Sequence, residues 1–333
     1  MPYIMGLLVL FSTTVYPMGE QSITVIPKNK IIVVTAVGDC TIGYDINFGY
    51  PGSFNEAVDT HGKDYPFQNV AGIFKDDDLT IVNLETTLTN STERANKLFK
   101  FAGKPEYRDI LPSGSVEAVN LANNHTYDYL QQGYADTLSN LKAVNVGCFG
   151  NGIKLVKEVN GVKVGMLGYK GWTDDSRIRT EIKNDIAELK KQARVVIVSF
   201  HWGVERSNYP NSIQKNLGRF SIDNGADLVL GHHPHVIQGI EDYNGKIIVY
   251  SLANFVFGGN KNPGDKDTII YQQEFIVSPS GKVQVGDRKV LPASVSSVKY
   301  RNNYQPVVLQ GEEANRVIDR MKTYSQALEH GIQ

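Results

Sequence analysis

Five of the chain's seven histidines fall in short segments that also carry acids or amides. Asp39 follows "VTAVG", Glu85 follows "TIVNL", Asn124 and His125 follow "AVNLAN", His201 follows "VIVSF", and His232, His233 and His235 close "LVLGHHPH". Imidazole, carboxylate and carboxamide oxygen together suit a borderline divalent ion such as Zn²⁺, Mn²⁺ or Fe²⁺ and suit Ca²⁺ poorly. Six such donors exceed the four of a tetrahedral zinc. They point to one or two ions, with a carboxylate shared between a pair about 3.5 to 4 Å apart. Taken singly, each residue has a plainer explanation, since an Asp or Asn after a strand is commonly a turn former or helix cap and a lone His commonly packs. That explanation would have to hold at five separate places.

The elements that must position these groups are legible in the aliphatic runs. "IIVVTAV" (31–37), "LTIVNL" (79–84), "VEAVNLA" (116–122), "VKVGMLG" (162–168), "VVIVSF" (195–200), "DLVLG" (227–231) and "KIIVYSL" (246–252) are continuous enough for strands buried on both faces. Helical patterns lie near 66–75, 130–142, 183–193 and 211–224, and a charged closing helix spans about 312–329. Strand and helix alternating in this way implies an α/β layered sheet. The carboxyl ends of such strands open onto the crevice where ligands bind, so residues nearly 200 positions apart can converge. Asn160-Gly161 and Asn244-Gly245 between apolar runs predict tight hairpins, and "QQEFIVSPSGKVQV" adds further strands, so the sheets are mixed.

Lys plus Arg (34) nearly balance Asp plus Glu (35), which disfavours a nucleic-acid partner. Cys40 and Cys148 have neither zinc-finger nor CxxC spacing and read as two small buried hydrophobes, with a single disulfide as the alternative. The opening "MPYIMGLLVLFSTTVYPMGE" carries an apolar run from Tyr3 to about Tyr16 with no charge before Glu20. Its length suits a secretory leader or short anchor better than a full membrane span, and the expectation is an extracytoplasmic protein, secreted or anchored to the outer face of the cytoplasmic membrane. A buried N-terminal segment is the alternative. The run "DDD" (76–78) reads as a solvated loop.

The segments "VGDCTIG", "NLETTLT", "LANNHTYDY", "SFHWGVE", "GHHPHVIQGIE" and "YSLANFVF" resemble, in order, the signature of the CapA-type poly-γ-glutamate capsule biosynthesis family, itself similar to the calcineurin-like metallophosphoesterases. The resemblance runs from about Val33 to Phe257. It implies a four-layered αββα sandwich of the metallophosphoesterase type with mixed sheets. The layout would be a leader or anchor plus linker over 1–28, the main domain over 29–300 and a C-terminal extension over 301–333.

By this resemblance the metal ligands are Asp39, Glu85, Asn124, His201, His233 and His235, with Pro234 holding an extended turn that aims alternate imidazoles at one centre. His232 is the extra histidine. His125 would be the acid that assists a leaving group, and Asp128 at i+3 would fix its tautomer; capping of the next helix is the alternative for Asp128. Glu205 could bind a proton, metal or substrate, or be a solvated position. Trp202 reads as a wall of the pocket, and Asn254 as a group at its edge. Two departures stand out: Thr41 replaces the imidazole of the superfamily's Asp-x-His, and Ala253 replaces the family's usual Gly. The resemblance implies either metal-dependent hydrolysis, of a phosphoester or of an amide in a polymer such as poly-γ-glutamate, or a non-catalytic accessory subunit that binds the anionic polymer. Membrane subunits of a capsule synthase complex are the further partners it implies.

Overall fold

The inward-facing positions of two sheets carry the same kind of residue. Ile32, Val34, Ala36, Leu79 and Ile81 from one sheet meet Val164, Met166, Val195, Ile197, Leu228 and Leu230 from the other, all buried in one core cluster. The computed structural model describes residues 28–333, so the N-terminal leader expected from the sequence lies outside the described residues. No helix among those residues is long and apolar enough to cross a membrane.

The first sheet has eight strands, in the order Val307–Val308, Val283–Ser294, Asp267–Val277, Lys30–Thr41, Leu79–Leu84, Ala118–Asn120 and Gly147–Phe149, with Asn254–Phe257 also paired to Lys30–Thr41. Its half from Lys30–Thr41 to Gly147–Phe149 is parallel and its other half antiparallel. The second has six strands: Ile240–Tyr243, Lys246–Val249, Leu228–His232, Val195–Trp202, Val162–Gly171 and Leu155–Val159. Its inner four are parallel and its two edges are antiparallel hairpins. Both hairpins turn at the expected Asn-Gly pairs, whose four residues all have φ between 48° and 71°, as a type I′ turn requires.

Each sheet also has a helix-covered outer face. Val37, Val82 and Val119 pack with Phe54, Phe74, Leu111 and Leu141 from the helices Phe54–His61, Ala71–Lys75, Ile110–Ser113 and Leu130–Ala143. On the far side Val196, Val198, Phe200 and Val229 pack with Ile182, Ile186, Leu217 and Ile222 from Ser176–Leu189 and Ser212–Asp223. The layers are therefore helix, sheet, sheet, helix: the αββα sandwich with mixed sheets. The stripe Ile178, Ile182, Ile186, Leu189 explains the buried face of its helix. That helix starts earlier than its apolar pattern suggests because the Asp175 side chain caps it by accepting from Ile178 N. Ser212–Asp223 begins with a full capping box between Asn211 and Gln214.

The closing helix, Gly311–Gln326, places Val317 and Met321 in the inter-sheet core. Two sequence expectations need correction. The acidic run is not simply solvated: Asp76 is exposed, but Asp78 Oδ2 accepts from Val33 N at 2.8 Å and Asp77 Oδ2 from Thr80 Oγ1 at 2.6 Å. Cys40 and Cys148 are both free, and only Cys40 is fully buried.

Candidate metal centre

Strand parity delivers most of the candidate ligands. Along Leu79–Leu84 the inward positions Leu79 and Ile81 continue to Asn83 and then Glu85; along Val195–Trp202 they run Val195, Ile197, Ser199, His201. The inward set on Lys30–Thr41 is Ile32, Val34 and Ala36, which would leave Asp39 facing the helices. A register irregularity between Ala36 and Asp39 reverses that parity. It is anchored where Asp39 N donates to Ala253 O at 2.9 Å. The approach is close because residue 38 is glycine: a Cβ there would lie 2.0 Å from the Ala253 carbonyl oxygen. Asp39 consequently sits fully buried between the sheets.

Amides support the floor. Asn83 Nδ2 donates to Asp39 Oδ1 at 2.7 Å and lies 3.3 Å from His201 Nδ1, while Asn83 Oδ1 accepts from Asn120 Nδ2 at 2.9 Å. His201 Nε2 lies 2.8 Å from Asn124 Oδ1 and 3.4 Å from Glu85 Oε1. Beyond Leu228–His232 the chain turns through His233 at φ 94° and His235 at φ 58°, with Pro234 between them. The turn brings His233 N to 3.2 Å from Asp39 Oδ2. His235 Nδ1 lies 2.8 Å from Asn254 Oδ1 and 3.2 Å from Asp39 Oδ2, which directs that nitrogen's proton to oxygen acceptors and leaves Nε2 available.

Three sets of possible ligand atoms lie within 4.8 Å of one another: Glu85, His201 and His233; Asp39, Glu85 and His235; and Glu205, His233 and His235. The first two share Glu85, and Asn124 stands beside the first. A divalent cation fits this donor set. Both carboxylate oxygens of buried Glu85 lack a hydrogen-bond partner, and so does His233 Nδ1. A buried carboxylate left unpaired beside a second carboxylate is costly without a counter-charge. Without metal the two acids divide: burial, then the charge of Asp39, raises Glu85 well above the carboxylate range. Asp39 faces the same burial cost, but its bond to His235 and the surrounding imidazoles hold its pKa low. Burial holds His201 well below the ordinary imidazole value and His233 at about 4. His235 goes the other way, to about 10, because Glu85 and Asp39 outweigh its burial.

Beside the ligand sets, His125 Nδ1 lies 2.6 Å from Asp128 Oδ2. Asp128 does not cap the next helix, whose N-cap is Tyr129 with no side-chain bond. It accepts from Phe101 N at 2.6 Å and from Lys97 Nζ at 2.7 Å instead. Lys97 also donates to Asn124 O at 2.9 Å. Burial lowers the pKa of His125 and Asp128 partly restores it.

Four expected residues take distinct places. Glu205 is exposed at the rim near His233 and His235. Asn254 pairs in register with Asp39 and bonds His235. His232 is buried and inward, its Nδ1 3.6 Å from Asp39 Oδ1, with neither ring nitrogen hydrogen-bonded. It is therefore not left outside, although it belongs to none of the three ligand sets. Trp202 is not a pocket wall. It follows inward His201, so it faces the outer helices, stacked on Phe200 at 4.4 Å with Nε1 donating to Tyr250 O.

The wall is Trp172, which sequence reasoning missed: its ring lies edge-on to His201 at 5.7 Å and to His233 at 4.8 Å. Lys97, Asn83 and Asn120 were also missed. Thr41, where the superfamily has an imidazole, is buried with its hydroxyl unpartnered.

A family model described as "Bacterial capsule synthesis protein PGA_cap" matches residues 33–259. The chain is 31% identical over 307 residues to the PGA biosynthesis protein CapA of Bacillus subtilis (strain 168), covering 85% of this chain and 78% of that protein. It is 32% identical over 257 residues to the Capsule biosynthesis protein CapA of Bacillus anthracis, covering 69% of this chain and 61% of that one. A solved structure of the NAD nucleotidase (NadN) of Haemophilus influenzae matches at 12% identity and a TM-score of 0.44, covering 91% of this chain and 64% of that chain. With the matched span enclosing every strand end that carries a candidate ligand, the chain belongs to the bacterial capsule synthesis protein PGA_cap family.

Proposed function

We propose that the protein works in the synthesis or export of a poly-γ-glutamate-type capsule, outside the cytoplasmic membrane, as a metal-dependent hydrolase of a phosphoester or of an amide in the polymer. The observation that carries the hydrolytic reading is the His125–Asp128 pair beside ligand sets that share Glu85. The capsule context rests on the two CapA relatives. Export rests on the apolar stretch before residue 20.

Asp39, Glu85, Asn124, His201, His233 and His235 would hold one or two divalent ions of the Mn, Zn or Fe class. When bound, such ions supply positive charge opposite the oxygen on which negative charge develops and acidify an attacking water. The chain's own residues do the rest. Asp128 accepts the Nδ1 proton of His125, which orients the ring and leaves Nε2 to hold and release a proton to the leaving group. Lys97 donates to the other oxygen of Asp128 and holds that carboxylate in place. Phe101, with its ring centroid 4.3 Å from that of His125, excludes water from one face of the imidazole. Trp172 shields His201 and His233.

The test is turnover of an aryl phosphate and of poly-γ-glutamate by metal-loaded full-length protein. Turnover lost on His125→Ala and on chelation supports the hydrolase. Polymer binding without turnover of either substrate would overturn it in favour of an accessory binding subunit.

A further inference from the structure

Lys170 ends the inward series Val162, Val164, Met166, Gly168 on its strand and pairs in register with His201 on the neighbouring parallel strand. Register partners on parallel strands present their side chains to the same face, about 4.8 Å apart. The lysine stem therefore rises beside the metal centre. The residue is exposed, its half-screened ammonium lies 5.9 Å from the Tyr127 ring centroid with Lys97 as its charged neighbour, and among the described residues no acid pairs with it. Lys97 itself reaches Asp128 and Asn124 on the same side. The rim by His233 and His235 carries the exposed acid Glu205. The mouth of the centre thus carries cations on the His201 side and an acid by His233 and His235, and the partly exposed Trp172 lies edge-on to His201 and His233.

We propose that Lys170, backed by Lys97 and walled by Trp172, recognises an anionic group, carboxylate or phosphate, that flanks the bond held at the centre. This rests on the hydrolase reading for the identity of the centre, but not on turnover. An unpaired ammonium at a half-screened site is a ready partner for a carboxylate or phosphate oxygen. Glu205 repels the same charge from the rim by His233 and His235. A polyanionic chain is thereby oriented, with the charged neighbour of its scissile bond toward Lys170.

The experiment uses full-length, Mn²⁺-loaded protein and titration calorimetry with two probes, tri-γ-glutamate and orthophosphate, at low salt. Lys170→Ala should weaken tri-γ-glutamate about tenfold, as loss of one charge-assisted contact implies, while Lys170→Arg stays within about threefold. Metal content should be unchanged in both variants, a readout that separates recognition from damage to the centre. A parallel tenfold loss for orthophosphate would assign the site to either anion; an effect confined to tri-γ-glutamate would assign it to the flanking carboxylate. Unchanged affinity of Lys170→Ala for both probes, or no binding of either by the wild type, would overturn the proposal. Lys170-dependent binding with no hydrolysis would sustain it while removing the hydrolase.

Discussion

The Nδ1 atom of His125 lies 2.6 Å from Oδ2 of Asp128, and that carboxylate also accepts from Phe101 N and Lys97 Nζ. Its orientation is therefore fixed from three sides. His125→Ala is expected to lower turnover by about 10² to 10⁴ while leaving bound metal nearly unchanged. Asp128→Asn should lower the rate with the same metal content by favouring the wrong tautomer. Rate and metal analysis on one preparation check this; equal loss of both would move His125 into the ligand set.

Each of the three ligand sets contains His233, His235 or both. Metal bound only to the folded state stabilises it by about 2.7 kcal/mol when free metal is a hundredfold above Kd. Chelator should lower the wild-type Tm, and His233→Ala/His235→Ala should start lower and respond little. His232→Ala should keep its metal, being outside those sets, yet lower Tm because the removed ring is buried and leaves a cavity. Calorimetric melting with and without chelator, alongside metal analysis, decides among these. Metal lost from His232→Ala but kept by the double variant would reverse the assignment.

Ala253 has φ 62°, in the left-handed region where a Cβ is strained. Ala253→Gly should stabilise the fold by about 0.5 to 1 kcal/mol, the relief being partly offset by the freer unfolded chain. Gly38→Ala should do the opposite, by about 1 to 3 kcal/mol, because its Cβ meets the Ala253 carbonyl. Urea unfolding measures both. A destabilised Ala253→Gly would mean that the loop needs the methyl group more than the relief.

Two half-buried acids at the other end of the first sheet set a pH dependence. Burial pushes Glu117 up to about 7 and Asp77 to about 6, although Thr80 N donates to Glu117 and Thr80 Oγ1 to Asp77. Both bind their proton more tightly folded than unfolded. Their contribution is present below pH 4 to 4.5 and is lost as pH rises through about 6 to 7. Glu117→Gln should flatten the fall in stability between pH 4.5 and 7. Unfolding curves across that range, with the wild type beside the variant, would show parallel slopes if Glu117 were not responsible.

Much of the centre was legible because strands buried on both faces have a distinct sequence pattern and their ends carry the polar groups. The same alternation, applied once more, separates His201 from Trp202: adjacent strand residues face opposite ways, so both could not line one pocket. What the pattern could not give is the reversal of parity before Asp39, which depends on the contact between Gly38 and Ala253 across 215 residues. Trp172, Lys170 and Lys97 carry no motif of their own. They reach the centre through strand register and a loop return that exist only once the sheets have packed.

The amide of Asn83 props one residue from each of the two ligand sets that share Glu85, touching Asp39 on one side and His201 on the other. Those positions therefore have no independent scaffolds. With His201 held by a bound ion, the carboxamide beneath it would be fixed as well, and Asp39 with it, so that a second position would be ready for its ion. Loading should be cooperative, with a titration steeper than a simple hyperbola and few singly filled molecules at the midpoint. Asn83→Ala would uncouple the two positions, weakening both and returning the curve to separate, shallower steps.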